Sequence, residues 1–299
     1  MSSTNSKGQP TAPKQSITGD SLYYELPEKP LVVIEPSKSW VALNLRDLWN
    51  YRDLLYILAA RDVRVRYKQT IFGVAWAILQ PLFTMLVFSL FFGKFAGVPS
   101  DGIPYPLFAY VGLLMWGFFS GALTKSGISL VGNASLITKV YFPRMIVPIS
   151  AVFSGLVDFL IASVFLIILM IYYGIGLSVN ILMIPILVLL TSLLAIGLGL
   201  WMAGLNVKYR DVGQALPFLI QLGFFVSPII YPVSIVPEKW RWVMAFNPVT
   251  GLIEGYRAAF FGKPFDWFSL AISVAITVAV LVYATFAFSR MEDEFADVI

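Results

Sequence analysis

Very few side chains in this sequence could do chemistry. No cysteine and no histidine occur among its 299 residues, which excludes disulfides, thiolate nucleophiles, imidazole metal sites and histidine acid–base catalysis. No GxxxxGK[ST] phosphate loop is present, so the chain has no recognisable means of binding ATP by that route. What remains is a handful of charges in apolar surroundings. Asp158 stands near the middle of a long apolar stretch. Burying a carboxylate there costs several kcal/mol, so it marks either a functional group or a residue held, protonated or hydrogen-bonded, between helices. Glu254 and Arg257, at i and i+3, can pair on one helical face. Arg61, Arg64 and Lys68 fall on one side of a helix as a basic face suited to anionic lipid.

Rings outnumber charges: aromatic residues are 15% of the chain against 13% charged. Phe72, Trp76, Phe83 and Val87 follow helical spacing as one stripe with Gln80 close by, and Phe218, Gln221 and Phe225 repeat the mixture of rings and amides. Rings stack on the apolar faces of sugars while amides bond hydroxyls, so such a lining would let a glycan slide without holding it tightly. The same stripes can equally face lipid or neighbouring helices.

The elements that must position these residues are membrane helices. Hydrophobic residues make up 58% of the chain, the mean hydropathy is +0.79 and only 13% of residues are charged, against about 25% charged in soluble proteins. A bilayer core of about 30 Å needs roughly 20 apolar residues as helix. Six stretches qualify, at about 70–92, 105–124, 146–172, 180–205, 212–231 and 267–289. The expected fold is therefore an all-α membrane protein with six spans, residues 69–299 forming the transmembrane domain. Lys and Arg cluster before the first span (Arg61, Arg64, Arg66, Lys68), after the second (Lys125, Lys139, Arg144) and after the fourth (Lys208, Arg210). By the positive-inside rule those loops are cytoplasmic, and six spans leave both termini there.

Residues 1–43 form an N-terminal tail whose first 20 residues are polar, with no apolar core; they read as disordered rather than as a cleaved signal peptide. Leu31-Val32-Val33-Ile34, between Pro30 and Pro36, fits one short strand. Over 44–68, Asn44 is a plausible N-cap with Asp47 in the first turn, and Leu48, Tyr51, Leu55 and Leu58 share one side. That pattern is an amphipathic helix lying in the membrane interface. Between the fifth and sixth spans, 243–261 is apolar but broken by Asn247-Pro248 and Gly251; two short helices re-entering the bilayer fit it, as does a hairpin on the headgroups.

Several segments carry a resemblance over about residues 31–299. They are Arg61-Asp62-Val63-Arg64-Val65-Arg66-Tyr67-Lys68-Gln69-Thr70 with Gly73, Trp76 and Gln80-Pro81; Lys139-Val140-Tyr141-Phe142-Pro143-Arg144; Tyr209-Arg210-Asp211; Asn247-Pro248-Val249-Thr250 with Glu254-Gly255-Tyr256-Arg257; and Phe295-Ala296-Asp297-Val298-Ile299. In order and spacing they resemble the permease subunit of type-2 ABC exporters for lipid-linked polysaccharide: O-antigen, capsule and teichoic acid. The resemblance implies a homodimer in the bacterial inner membrane, clamped by two ATP-binding cassette subunits that bind ATP and Mg. The permease itself is then no enzyme, carries no cofactor or metal and contacts no nucleic acid. It further implies that Lys139, Val140, Tyr141, Phe142, Pro143 and Arg144 couple to the ATPase, and that Asn247, Pro248, Glu254 and Arg257 belong to an outer gate. The channel would form between the first and fifth spans of the two copies, lined by Phe72, Trp76, Gln80, Phe83, Phe218, Gln221 and Phe225. On that analogy Arg61, Arg64 and Lys68 could receive the diphosphate of a lipid carrier, or anchor to membrane lipid. An exporter of a drug or small lipid would use the same fold. A membrane glycosyl transferase would need carboxylates converging on one cavity, which scattered Asp158, Glu254 and Asp266 do not promise.

Overall fold

A computed structural model describes residues 45–68 and 70–292. The chain divides into Met1–Trp40 and Val41–Ile299, and the described residues all fall in the second unit. The tail over 1–43 with its strand at 31–34, Asn44, Gln69, residues 295–299 and the side chain of Asp47 lie outside the described residues.

All regular structure among the described residues is helical. The single helix expected over 44–68 is two, α1 (Leu45–Asn50) and α2 (Arg52–Tyr67). They part at Tyr51, whose φ/ψ of −98°/17° lies in the bridge region rather than the helical one. The next element, Gly73–Phe95, combines a 3-10 turn, α3 (Trp76–Phe88) and a π-helical stretch (Ser89–Phe95). Then come α4 (Tyr105–Gly132), the single turn α5 (Ala134–Ile137) and α6 (Ile146–Tyr172). Gly174, at φ 68°, closes α6 in the left-handed conformation that favours glycine. A 3-10 turn leads into α7 (Ile184–Lys208), followed by α8 (Asp211–Val226), α9 (Glu238–Ala245), α10 (Pro248–Phe261) and α11 (Trp267–Glu292).

Five of these elements are long and apolar enough to cross a membrane: Gly73–Phe95, Tyr105–Gly132, Ile146–Tyr172, Val179–Lys208 and Trp267–Glu292. The fifth expected span, 212–231, is instead the 16-residue α8, about 24 Å long at 1.5 Å per residue. Pro228 explains the early end: the residue before a proline is driven out of helical geometry, and Ser227 is extended at φ/ψ −93°/146°. The second expected span, drawn to 124, runs on to Gly132, which places Lys125 inside a helix rather than in a loop.

Helix α4 is the central post. It packs against α3, α6, α7, α8 and α10, and residues from Leu107 to Leu123 join the main apolar core. The α4–α7 approach is close enough that a Cβ on Gly199 would collide with Ser126 Oγ. A second apolar cluster joins Leu58 of α2 to Phe142, Met145 and Ile146, with Leu200 of α7 and Phe288 of α11; Leu48, Tyr51 and Leu55 pack against it. By contrast α3 and α8 bury one residue each, Met85 and Leu216.

Candidate transport cavity and its ion pairs

Helices α3, α4, α6 and α8 surround a cavity of about 850 Å³. Its lining changes character from one end to the other. Arg66, Tyr67, Lys125 and Asp158 form a charged end. Gln80, Thr84, Ser120 and Thr124 add amides and hydroxyls, and Trp76, Trp116 and Phe224 supply rings. Phe224 lies 5.9 Å from both Phe88 and Trp116, ring centre to ring centre, so rings join α3, α4 and α8 at the end far from the charges.

The charged end is organised by Asp158. Its carboxylate ion-pairs with Arg66, accepts a hydrogen bond from the Tyr67 hydroxyl, and lies 3.5 Å from Lys125 Nζ. Arg66 also donates to Ser154 Oγ at 3.3 Å, one turn before Asp158 on α6. The guanidinium therefore bridges two successive turns of α6 and holds α2 against it. Burial lifts the Tyr67 phenol above its usual pKa, with the Arg66 charge opposing, so the hydroxyl stays a donor to the carboxylate. Of the two roles open to Asp158 from the sequence, the structure displays the interhelical one.

A second charge is set where α10 meets α4. Arg257 is 2% exposed. It donates to Glu254 Oε1 at 2.8 Å and to the Ile229 carbonyl at 2.7 Å, and its guanidinium stacks 3.6 Å over the Phe108 ring. Gly112 makes room for it: a Cβ there would sit 2.5 Å from Ile229 O and 3.2 Å from Arg257 Nη2. Asn247 begins α10 by accepting from Val249 N at 3.1 Å and donates to Ser227 Oγ at 3.0 Å. Tyr105 donates to Ile230 O at 2.8 Å. The extended segment after α8 is thus fastened by α4 and α10 together. Pro248 supplies the first residue of α10, where its fixed φ suits a helix start.

Of the expected lining residues, Trp76 and Gln80 border the cavity. Phe72 stacks edge-on against Trp76 at 5.5 Å, while Phe83, Phe218, Gln221 and Phe225 lie exposed on α3 and α8 and are absent from its wall. In the 139–144 loop, Tyr141 is 81% exposed and Phe142 5%. Lys139 and Val140 are exposed, Pro143 is half-buried, and Arg144 donates to the Glu292 carbonyl at 2.6 Å. Arg61 binds Asp62 Oδ1 and Asn133 Oδ1, both at 2.8 Å; Arg64 and Lys68 are exposed.

Sequence reasoning missed Arg66, Tyr67 and Lys125 as partners of Asp158. One signal was available: Arg66 lies about 140° around the helix from Arg61, on the apolar side, where an arginine needs a buried acid. Among the described residues no three carboxylates gather as a metal site.

A family model described as "ABC-2 type transporter" matches residues 53–261. The O-antigen export system permease protein RfbA of Myxococcus xanthus is 31% identical over 259 residues, covering 85% of this chain and 98% of its own length. The protein of the same name from Klebsiella pneumoniae is 29% identical over 83% of this chain and 95% of its own. The polysialic acid transport protein KpsM of Escherichia coli is 25% identical, over 76% and 91%.

Proposed function

The chain belongs to the ABC-2 type transporter family, and from that premise we propose that it is the transmembrane subunit of an ATP-driven exporter of lipid-linked polysaccharide, O-antigen foremost. The observation that carries this reading is the match to an O-antigen export permease along 98% of that protein's length. The cavity supports it. A hydroxylated polymer cannot enter hydrocarbon without losing its water, and rings interleaved with amide and hydroxyl groups offer a path along which it stays solvated.

The working unit is a homodimer in the bacterial inner membrane with two ATP-binding cassette subunits, which bind ATP and Mg. Lys and Arg placement puts the α2 end of each copy, both termini and the 139–144 loop in the cytoplasm. Helix α8, extended by 227–231, serves as a short fifth crossing, and α9 with α10 forms the re-entrant pair. Tyr141 projects from the loop as the contact for the ATPase, while Phe142 roots that loop in the cluster shared by α2, α6 and α11. Closure of the two ATPases on ATP drives these loops, and the helices follow as rigid bodies.

The test is complementation. Cells lacking this chain should retain lipid-linked glycan on the cytoplasmic face, and should export it again only when the chain and its ATPase are both supplied. Export by the chain in cells without any ATPase partner, or ATP hydrolysis by the purified chain alone, would overturn the assignment. Competition by a lipid-linked glycan, but not by a drug or small lipid, separates the polysaccharide exporter from its small-molecule counterpart.

A further inference from the structure

The charged end of the cavity holds more cations than it needs. Arg66 and Lys125 share one carboxylate, Asp158. The nearest other acid on α2, Asp62, is engaged by Arg61 at 2.8 Å. Lys125 reaches Asp158 only at 3.5 Å, longer than the 2.7–2.9 Å of a good charge-assisted bond. A partly buried cavity with surplus positive charge concentrates anions. The same cavity is lined by the hydroxyls of Ser120 and Thr124 and the rings of Trp76 and Trp116, which suit a sugar. Moreover, the carboxylate that an incoming anion would displace is the one holding α2 to α6 through Arg66 and Tyr67.

We infer that the phosphate-bearing head of a lipid-linked glycan binds between Lys125 and Arg66, replaces Asp158 as their counter-ion, and thereby releases α2 from α6. This rests on the exporter reading and goes beyond it in naming a site and its consequence. The exposed face of Arg61, Arg64 and Lys68 is not the receptor; the opposite side of the same helix is. Because α2 also reaches Asn133, beside α5, through Arg61, its release reports a loaded site toward the 139–144 loop.

Binding to the full chain in nanodiscs of zwitterionic lipid tests the inference, with polyprenyl diphosphate, neutral polyprenol and inorganic diphosphate as probes. Polyprenyl diphosphate should bind and polyprenol should not. Lys125→Gln and Arg66→Gln should each weaken it roughly 10–100-fold, the loss of one charged hydrogen bond. Asp158→Asn should tighten it several-fold by removing the competing carboxylate, an outcome that a purely structural ion pair does not produce. Lys94→Gln, at the far end of the first membrane element, should change nothing. Since the chain has no cysteine, spin labels on Val65→Cys and Phe153→Cys, both exposed, read the α2–α6 separation with all the charges intact. That distance should lengthen with polyprenyl diphosphate and stay fixed with polyprenol.

Equal affinity of the wild type and the Lys125 and Arg66 variants, or a fixed distance, overturns the inference. So does weakening by Arg64→Gln and Lys68→Gln alone, which would put the anion on the exposed face. Inorganic diphosphate binding as tightly as the lipid would mark a free-anion site and overturn the lipid assignment. The exporter reading fails separately: if cells lacking the chain export glycan normally while Lys125→Gln still weakens binding, the site stands and the transport role falls.

Discussion

Adding one methyl group at Gly112 should unlock the end of the bundle where α10 meets α4. An alanine Cβ would lie 2.5 Å from the Ile229 carbonyl oxygen, whereas even a close carbon–oxygen contact needs about 3.3 Å. The segment after α8 must therefore retreat by close to an ångström. Overpacking of this kind costs about 1–3 kcal/mol. The retreat also stretches the 2.7 Å hydrogen bond from Arg257 to Ile229 O, and a bond from a charged donor contributes about 1.5–3 kcal/mol. Against this, alanine is a better helix residue than glycine by about 1 kcal/mol. The net expectation is a loss of about 2–5 kcal/mol, or roughly 5–15 °C in apparent unfolding temperature for a domain of this size. Thermal unfolding of the purified variant measures it, with Gly117→Ala on the same helix as the internal reference, since nothing lies within 4 Å of a Cβ there. Gly117→Ala should be neutral or slightly stabilising. If Gly112→Ala unfolds at the same temperature as Gly117→Ala, the guanidinium and the carbonyl are not packed as described and the reasoning is wrong.

Four further substitutions probe α10 and the 139–144 loop. Arg257→Lys keeps the charge for Glu254 but loses the planar stack on Phe108 and the reach to Ile229 O; it should cost about 1.5–3 kcal/mol, and combined with Gly112→Ala should cost less than the sum, since both remove one hydrogen bond. Asn247→Ala removes the cap of α10 and the bond to Ser227, for about 1–2 kcal/mol by denaturant titration; no change in midpoint would show that Pro248 alone sets the helix start. Neighbouring residues of the 139–144 loop should behave oppositely. Phe142→Ala should destabilise the chain by about 3–5 kcal/mol, while Tyr141→Ala should leave stability within about 0.5 kcal/mol and abolish capture of the ATPase subunit. Retention of capture by the Tyr141 variant would remove that side chain from the coupling contact.

The helices were legible wherever apolar runs were long. Their ends were legible only where a residue forces the backbone. The expected third span, 146–172, coincides with α6 because Gly174 supplies a left-handed stop. The second span overran its expected end because Lys125 looked like a loop charge, and only the position of Asp158 on α6 shows why a lysine is tolerated inside α4. Of the aromatic stripes, Trp76 and Gln80 border the cavity within one copy, while Phe83 and Phe218 lie exposed outside it; helical spacing says which residues share a face but not what the face opposes. The partners of Asp158 on α6 come from two other helices, α2 and α4, and no periodicity within one helix encodes a meeting of three. Glu254 and Arg257 were readable as a pair because their contact is local, at i and i+3; the Phe108 and Ile229 contacts that make Arg257 a hub were not.

The two arginine clamps divide the bundle into parts that can move and parts that cannot. Arg257 fixes α4 near Gly112, and the Asp158 cluster touches it at Lys125, thirteen residues on, or about 20 Å along the helix. The cavity wall contributed by α4 runs from Leu113 to Lys125, between those points. Helix α4 is deeply packed over this length, whereas α3 and α8 each bury a single residue. Displacing a helix costs in proportion to the contacts it gives up, so widening of the cavity must come from α3 and α8 moving away from a stationary α4. Labels on exposed Phe83 and Phe218 should therefore change their separation within one copy when the ATPases close on ATP. A pair on α4 and α7, the helices packed through Gly199, should not. Motion confined to the α4–α7 pair would show that the clamps hold the wrong wall.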